Sequence, residues 1–309
     1  MAFKSQKIVL LAKVESTYGT DSVPTGSANA ILASNVKLTP MSQEAPARNV
    51  IRPYFSNDGK ILGGKYVGLD FDVEIAGAGA AGSAPGWGAL LKGCAMGETL
   101  NAGVSAVYAP ISASEQSLSI YFNLDGIQHK LLGARGSFSM KFTKGGIPLL
   151  SFKLIGLYAS PTDTALPSPT LTGFQKPLAV SQANTTPVSL HTYAGLFSDV
   201  NLDIGNTNTY RNLINSEAVV FGDRKPVGSC TMETPTVAAK DFFSIAAAGT
   251  TGALTLTHGT VAGNKVRVDA PAVQVTNPTY SSADNIEMLG LTLDLQPSTG
   301  NDELTITVL

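Results

Sequence analysis

The chain has 309 residues, 43% of them hydrophobic and only 14% charged, with a formal net charge of −2. That length allows two domains of ordinary size, the near-neutral balance argues against a basic nucleic-acid reader, and charge this far below the usual ~25% fits a surface covered by partners or by uncharged Ser/Thr/Asn loops. The two cysteines, Cys94 and Cys230, define no disulfide framework and read as buried free thiols. His129, His191 and His258 stand far apart, and no HExxH, CxxC or triad-like cluster accompanies them. The apolar run near the N-terminus is cut short by Lys13 and Glu15, carries no signal-peptide cleavage pattern, and no run reaches transmembrane length. The expectation is a soluble protein made in the cytoplasm, rich in β structure and turns.

In chain order, residues 6–15 read as a first strand and 16–30, rich in Ser, Thr, Gly and Pro, as an irregular arm. Residues 31–39 resume a strand. Residues 40–64 are polar and carry Pro46, Pro53 and Gly63-Gly64, a loop long enough to suggest a function or ordering on binding. In 65–75, Leu69, Phe71, Val73 and Ile75 alternate with Asp70, Asp72 and Glu74, the period-two pattern of a half-buried strand. A Gly/Ala corner follows, then a short helix expected to open at Pro85 and run through Trp87 to Leu91. Trp87, the only tryptophan, is expected to pack that helix onto the sheet. From 106 to 159 the β pattern is nearly continuous, with Asp125-Gly126 as a hairpin signal and Gly145-Gly146 as a second turn. Residues 160–187, with prolines among Ser and Thr, read as an extended connection.

The second half repeats the order of the first. Ser34-Asn35-Val36-Lys37-Leu38 is answered by Ser198-Asp199-Val200-Asn201-Leu202, and Arg48-Asn49-Val50-Ile51 by Arg211-Asn212-Leu213-Ile214. Val67-Gly68 is answered by Val227-Gly228, the helix at Leu90-Leu91 loosely by 238–247, SFSMKF by AVQVTN, and SFKLIGL by GLTLDLQ. The sequence therefore reads as an internal duplication with loop deletions in the second copy. An apolar, alternating tail, ELTITVL, ends the chain and suits pairing with a sheet edge.

Few groups invite chemistry. Gly77-Ala78-Gly79-Ala80-Ala81-Gly82 spells GxGxxG between a strand and a helix, the pattern of a phosphate cradle. Its context is wrong: Ser83, Ala84 and Pro85 delay the helix, the strand carries alternating carboxylates, and no βαβ series follows. The plainer reading is a small-residue hinge formed by Gly77, Gly79 and Gly82. Asp70, Asp72 and Glu74 share one strand face at spacings of about 6.5–7 Å. They could form a hydrolytic pair, ligate a metal, line a passage of uniform sign, or simply face solvent. The second half offers Glu233 and little else, so the acidic face reads as unduplicated. Arg224-Lys225 reads as a turn.

An ordered set of segments resembles the major tail tube proteins of long-tailed, siphovirus-like bacteriophages. It comprises AKVESTYGTDSVPTGSANAILASNVKLTP, VEIAGAGAAGSAPGWGALLKGC, SAVYAPIS, HKLLGARGSFSMKF, PLLSFKLIGLYASP, FGDRKPVGSCTMETP, LTLTHGTVAGNKVRVDAPAVQV and GNDELTITVL. The resemblance implies a mainly β fold of two tandem tail-tube β-sandwich or barrel modules, each with a short flanking α-helix. The implied division is 1–160, with the N-terminal arm and loop 40–64, a linker at 161–187, and 188–309. It further implies a non-enzymatic virion protein without cofactor, metal or membrane, assembled in the host cytoplasm into stacked rings that conduct DNA during ejection. With one module per chain such rings are hexameric, so two modules imply a homotrimer ring, a pseudo-hexamer. Implied partners are other copies of the chain, a tape-measure protein and genomic DNA in the lumen, and the tail terminator and distal tail proteins. Loop 40–64 and arm 16–30 become candidates for inter-ring contact, and Asp70, Asp72 and Glu74 for the lumen wall. Other β-rich tubes, such as secretion tubes, other virion surface proteins, and a nucleotide-binding enzyme are the alternatives.

Overall fold

A computed structural model of the chain describes residues 4–48, 50–57 and 59–309. Strand accounts for 53% of it and helix for 5%. The first half runs β1 (Ile8–Val14), α1 (Gly26–Asn29), β2 (Ala30–Ile31), β3 (Ser34–Gln43), β4 (Lys65–Glu74), α2 (Gly88–Lys92), β5 (Met96–Asn101), β6 (Ser105–Pro110), β7 (Leu118–Leu124), β8 (Ile127–Thr143) and β9 (Leu149–Asp163). Residues 164–184 then run without helix or strand. The second half comprises β10 (Thr185–Leu190), β11 (Phe197–Asp203), β12 (Asn206–Leu213), β13 (Ser216–Arg224), β14 (Val227–Glu233), α3 (Phe242–Ala248), β15 (Thr251–His258), β16 (Val266–Ala283), β17 (Ile286–Gln296) and β18 (Thr305–Val308).

Among the described residues every strand pair is antiparallel. Five pairings of the first half, β1·β7, β3·β4, β4·β9, β7·β8 and β8·β9, recur in order as β10·β15, β11·β14, β14·β17, β15·β16 and β16·β17. The halves meet where Ser139–Thr143 of β8 pairs with Asp199–Asp203 of β11. The result is one eight-strand run, β3-β4-β9-β8-β11-β14-β17-β16. The chain's last strand crosses back: β18 pairs with β16 on one side and with β6 of the first half on the other.

Alternation decides which face of this sheet is dry. Leu69, Phe71 and Val73 of β4, Phe152 and Leu154 of β9, and Phe138, Met140 and Phe142 of β8 are all buried, as are Val200, Leu202, Leu291 and Leu293. They form one contiguous core with Leu10, Leu118, Ile120, Leu254, Leu256 and Ile306 of the other strands. Burying each such side chain stabilises by roughly 1.5–3 kcal/mol. The Phe71 and Phe152 rings stack with centroids 5.4 Å apart.

Several local expectations shift. The helix begins at Gly88, not Pro85, because Pro85 opens a turn whose carbonyl accepts the Gly88 N–H at 2.8 Å. Trp87 is buried as expected, its Nε1–H donating to the Ala76 carbonyl at 2.9 Å. The second strand splits into β2 and a longer β3, while β5 and the β12–β13 hairpin are additions with no counterpart in the sequence reading. The matched dipeptides Val67-Gly68 and Val227-Gly228 are out of phase: Val67 is 1% exposed and Val227 41%. A slip of one residue turns a strand inside out, so that likeness is accidental. Asn49, part of another match, lies outside the described residues. Cys94 and Cys230 are free and buried. Burial pushes both thiols up, Cys230 to about 12 with help from the negative charge of Asp199.

Candidate functional site

The wet face of the eight-strand sheet is the most distinctive surface of the molecule. Its side chains line up in rows across the strands. One row runs from Lys37 through Asp70 and Lys153 to Ser137. The next runs from Asp72 through Ser151, Ser139 and Asp203, crosses Val227, and reaches Asp294 and Gln274. A third joins Glu74, Leu149, Lys141, Asn201, Ser229 and Thr292. With Asp199 at the start of β11 and Glu233 at the end of β14, the face carries seven carboxylates against Lys37, Lys141, Lys153 and Arg135. Asp72 also accepts a hydrogen bond from Asn35 Nδ2 at 2.7 Å.

The sequence reading placed the acidic face in the first half and found little but Glu233 in the second. The register corrects this: Asp203 and Asp294 lie in the row of Asp72, contributed by β11 and β17 instead of β14. The signal was present, since Asp199, Asn201 and Asp203 alternate with Val200 and Leu202, but it falls on a different strand of the repeat.

The lower part of the same face is covered. The β12–β13 hairpin folds back against β8 and β9. Arg135 is held between the rings of Tyr18 and Phe221, 4.8 and 5.3 Å from its guanidinium carbon, and donates to the Val219 and Glu115 carbonyls. Tyr18 in turn accepts the Val219 N–H at 2.6 Å. Tyr18 belongs to an arm anchored by the buried Glu15, which accepts from Gly19 N, Ser117 Oγ, Ser119 Oγ and Gly133 N at 2.6–2.8 Å. The arm at 16–23 is thus fastened to its own chain. Residues 44–64 behave differently: beyond a short base with the bridge Ala47↔Lys60, Ile51 and Phe55 are fully exposed.

Gly77, Gly79 and Gly82 lie where two backbones meet. Gly77 N–H donates to Asn264 Oδ1 at 2.6 Å and Gly79 N–H to the Gly263 carbonyl at 2.9 Å. A Cβ on Gly77 would run into the Gly263 carbonyl oxygen, and one on Gly82 into the Asn101 carbonyl. Gly79 and Gly82 also sit at φ +86° and +74°, the left-handed region. Two N–H groups that a phosphate would need are already engaged, and the five-residue α2 starts well past Gly82. Arg224, expected in a simple turn, reaches Glu303 Oε1 at 2.5 Å, the Ile111 carbonyl at 2.8 Å and Asn301 Oδ1 at 2.9 Å. The histidines are spent on structure: His191 Nε2 meets the Val273 carbonyl at 2.8 Å and His258 Nδ1 meets Thr185 Oγ1 at 2.9 Å. Burial lowers the pKa of all three histidines. Among the described residues no three His, Cys, Asp or Glu side chains are grouped to hold a metal, and no helix is long and apolar enough to cross a membrane.

Compared with models of known protein families, residues 5–297 match the family described as phage tail tube protein. No curated protein matches the chain.

Proposed function

The chain belongs to the phage tail tube protein family, and from that membership we propose that it builds the tail tube of a siphovirus-like phage as stacked homotrimeric rings. It is a structural component of the virion tail that assembles with copies of itself. Each chain supplies two tandem modules, 1–160 and 188–309, joined by the linker 161–187. Support for two modules comes from the five strand pairings that recur in order. The observation that carries the ring is the eight-strand sheet: one face is core, the other polar and net acidic, and its two ends are open. Among the described residues β3 has a strand partner only in β4, and β16 beyond Gln274 only in β17. The β8·β11 junction supports this reading, as a pattern by which one module's sheet would continue into the next. Repeating that junction between β16 of one copy and β3 of another closes a barrel of six modules from three chains.

On this reading the wet face lines the lumen. Asp70, Asp72, Glu74, Asp199, Asp203 and Asp294 give it a sign that repels phosphate, the reverse of binding by counterion release. Tape-measure protein and then DNA pass along it into the host, with the tail terminator and distal tail proteins at the tube's ends. No reaction is assigned. Negative-stain images of purified protein test the proposal. Tubes or stacked rings with a central hole, showing threefold end views with a sixfold pseudo-repeat, are expected. A compact monomer under all conditions would overturn it.

A further inference from the structure

The two halves differ at one place that asks for an occupant. In the first half the connection from β1 to β3 spans residues 15–33 and includes β2, which caps the edge of β1 through Leu10↔Ile31 and Leu11↔Ala30. In the second half the connection from β10 to β11 is residues 191–196 alone, and among the described residues the corresponding edge of β10 carries only the bridge Leu190↔Tyr193. A groove of about 460 Å³ lies there, with Val180, Val188, Leu196, Phe197, Ile286 and Met288 among its apolar lining. Its rim carries Asp199, Glu233 and Asp284 beside Lys144. Leu196 is 67% exposed and Ile286 48%.

The loop at 44–64 has the complementary properties. Ile51 and Phe55 are fully exposed and Tyr54 is 62% exposed. Arg48, Arg52 and Lys60 accompany them, all exposed, with Arg52 over the Tyr54 ring. The topology sets loop and groove apart. The loop leaves the sheet after Gln43 and returns at Lys65, whereas the groove lies at the Phe197 end of β11 and the Glu233 end of β14. Following the registers from β4 across to β14, those are opposite ends of the eight strands. A chain cannot fill its own groove with its own loop across the length of that sheet, but a second copy placed end to end can.

We propose that the groove seats segment 50–55 of a second copy in the next ring. The inference rests on the tube reading and deepens it by naming the stacking contact. Ile51 and Phe55 enter the apolar floor, the basic side chains meet the acidic rim, and the open edge of β10 offers backbone partners to an extended segment, as in strand addition. Because the contact joins unlike surfaces, it repeats without closing and produces a filament.

Single-cysteine variants test this, since Cys94 and Cys230 are buried and stay silent. Variants Ile51→Cys and Phe55→Cys are each mixed with Leu196→Cys or Ile286→Cys, assembled and treated with a short bifunctional maleimide. Covalent dimers are expected in assembled tubes, well above those from a Lys153→Cys control and absent from dissociated protein. A Leu196→Glu/Ile286→Glu variant, its fold checked by circular dichroism, is expected to form rings but to lower the tube fraction by about tenfold or more. Tubes that form without cross-links at any of the four pairs, or normal stacking of the double Glu variant, would overturn the groove assignment and leave the tube reading intact. Failure of the wild-type chain to form rings or tubes would overturn both.

Discussion

Arg224 shows what a single side chain does in this fold. It fastens the end of β13 to Glu303 and Asn301 near the C-terminus and to Ile111 after β6, and the Glu303 side chain is only 6% exposed. Arg224→Ala would strand a buried carboxylate, a loss of about 3–5 kcal/mol, read as a lowered denaturation midpoint. The neighbouring Lys225 is 81% exposed with Asp223 at 3.1 Å, so Lys225→Ala should fall within about 0.5 kcal/mol of wild type. The sequence could not separate these two residues, because the partners of Arg224 lie 79 and 113 positions away. Asp21 carries a pH signature. Burial alone would raise its pKa, but hydrogen bonds from Tyr121 and Lys130 hold it below the ordinary 3.8. A depressed carboxylate contributes stability that is present above its unfolded pKa and lost as pH falls through its folded one. Asp21→Asn should therefore flatten the stability profile below about pH 3.8 and leave the shape of its neutral region unchanged, as followed by thermal melts across pH.

At the scale of elements, strands with one dry face were legible and strands without one were not. β4 and β8 alternate cleanly because each contributes a row to the core. β12, NTNTYRNL, has no buried residue along its length, and it is ordered by the hairpin partner β13, whose Val219 and Phe221 are held over β8 by Tyr18 and Arg135. Nothing in its own composition announces a strand. The glycines at 77–82 were legible as special, but their reason is a contact with Gly263 and Asn264, far off in sequence. Gly77→Ala is expected to cost about 1–3 kcal/mol through forced backbone separation, measurable in urea. Phe221→Ala, by loosening the grip on Arg135, should raise hydrogen exchange across β12 and β13 while β4 stays protected.

At the scale of the molecule, three carboxylates were readable on one strand and seven only once strands were placed side by side. Acidity of a sheet face is a property of register, and register is not written in any single segment. The lumen reading makes a directional prediction: changing Asp70, Asp72 and Glu74 together to Lys leaves tube formation intact and slows DNA ejection, because the wall then attracts phosphate. Added salt should relieve the slowing, as screening shortens the reach of the reversed charge. Ejection kinetics unchanged at low salt would place this face elsewhere than the lumen.

The C-terminal strand has a consequence in time. β18 leaves the ribosome long after the strand it joins: Ile306 and Val308 are fully buried, and they pair with Tyr108 and Ala106 of β6. At ~5–20 residues per second, the 145 residues from Asp163 at the end of β9 to Val308 at the end of β18 take roughly 7–30 s to be made. Throughout that interval the nascent first half holds one open edge of β6, whose other edge pairs with β5, and an open end of β8, both ready templates for wrong partners. Translation speed, and any chaperone that shields these edges until β18 has been made, should therefore govern the yield of assembly-competent subunits.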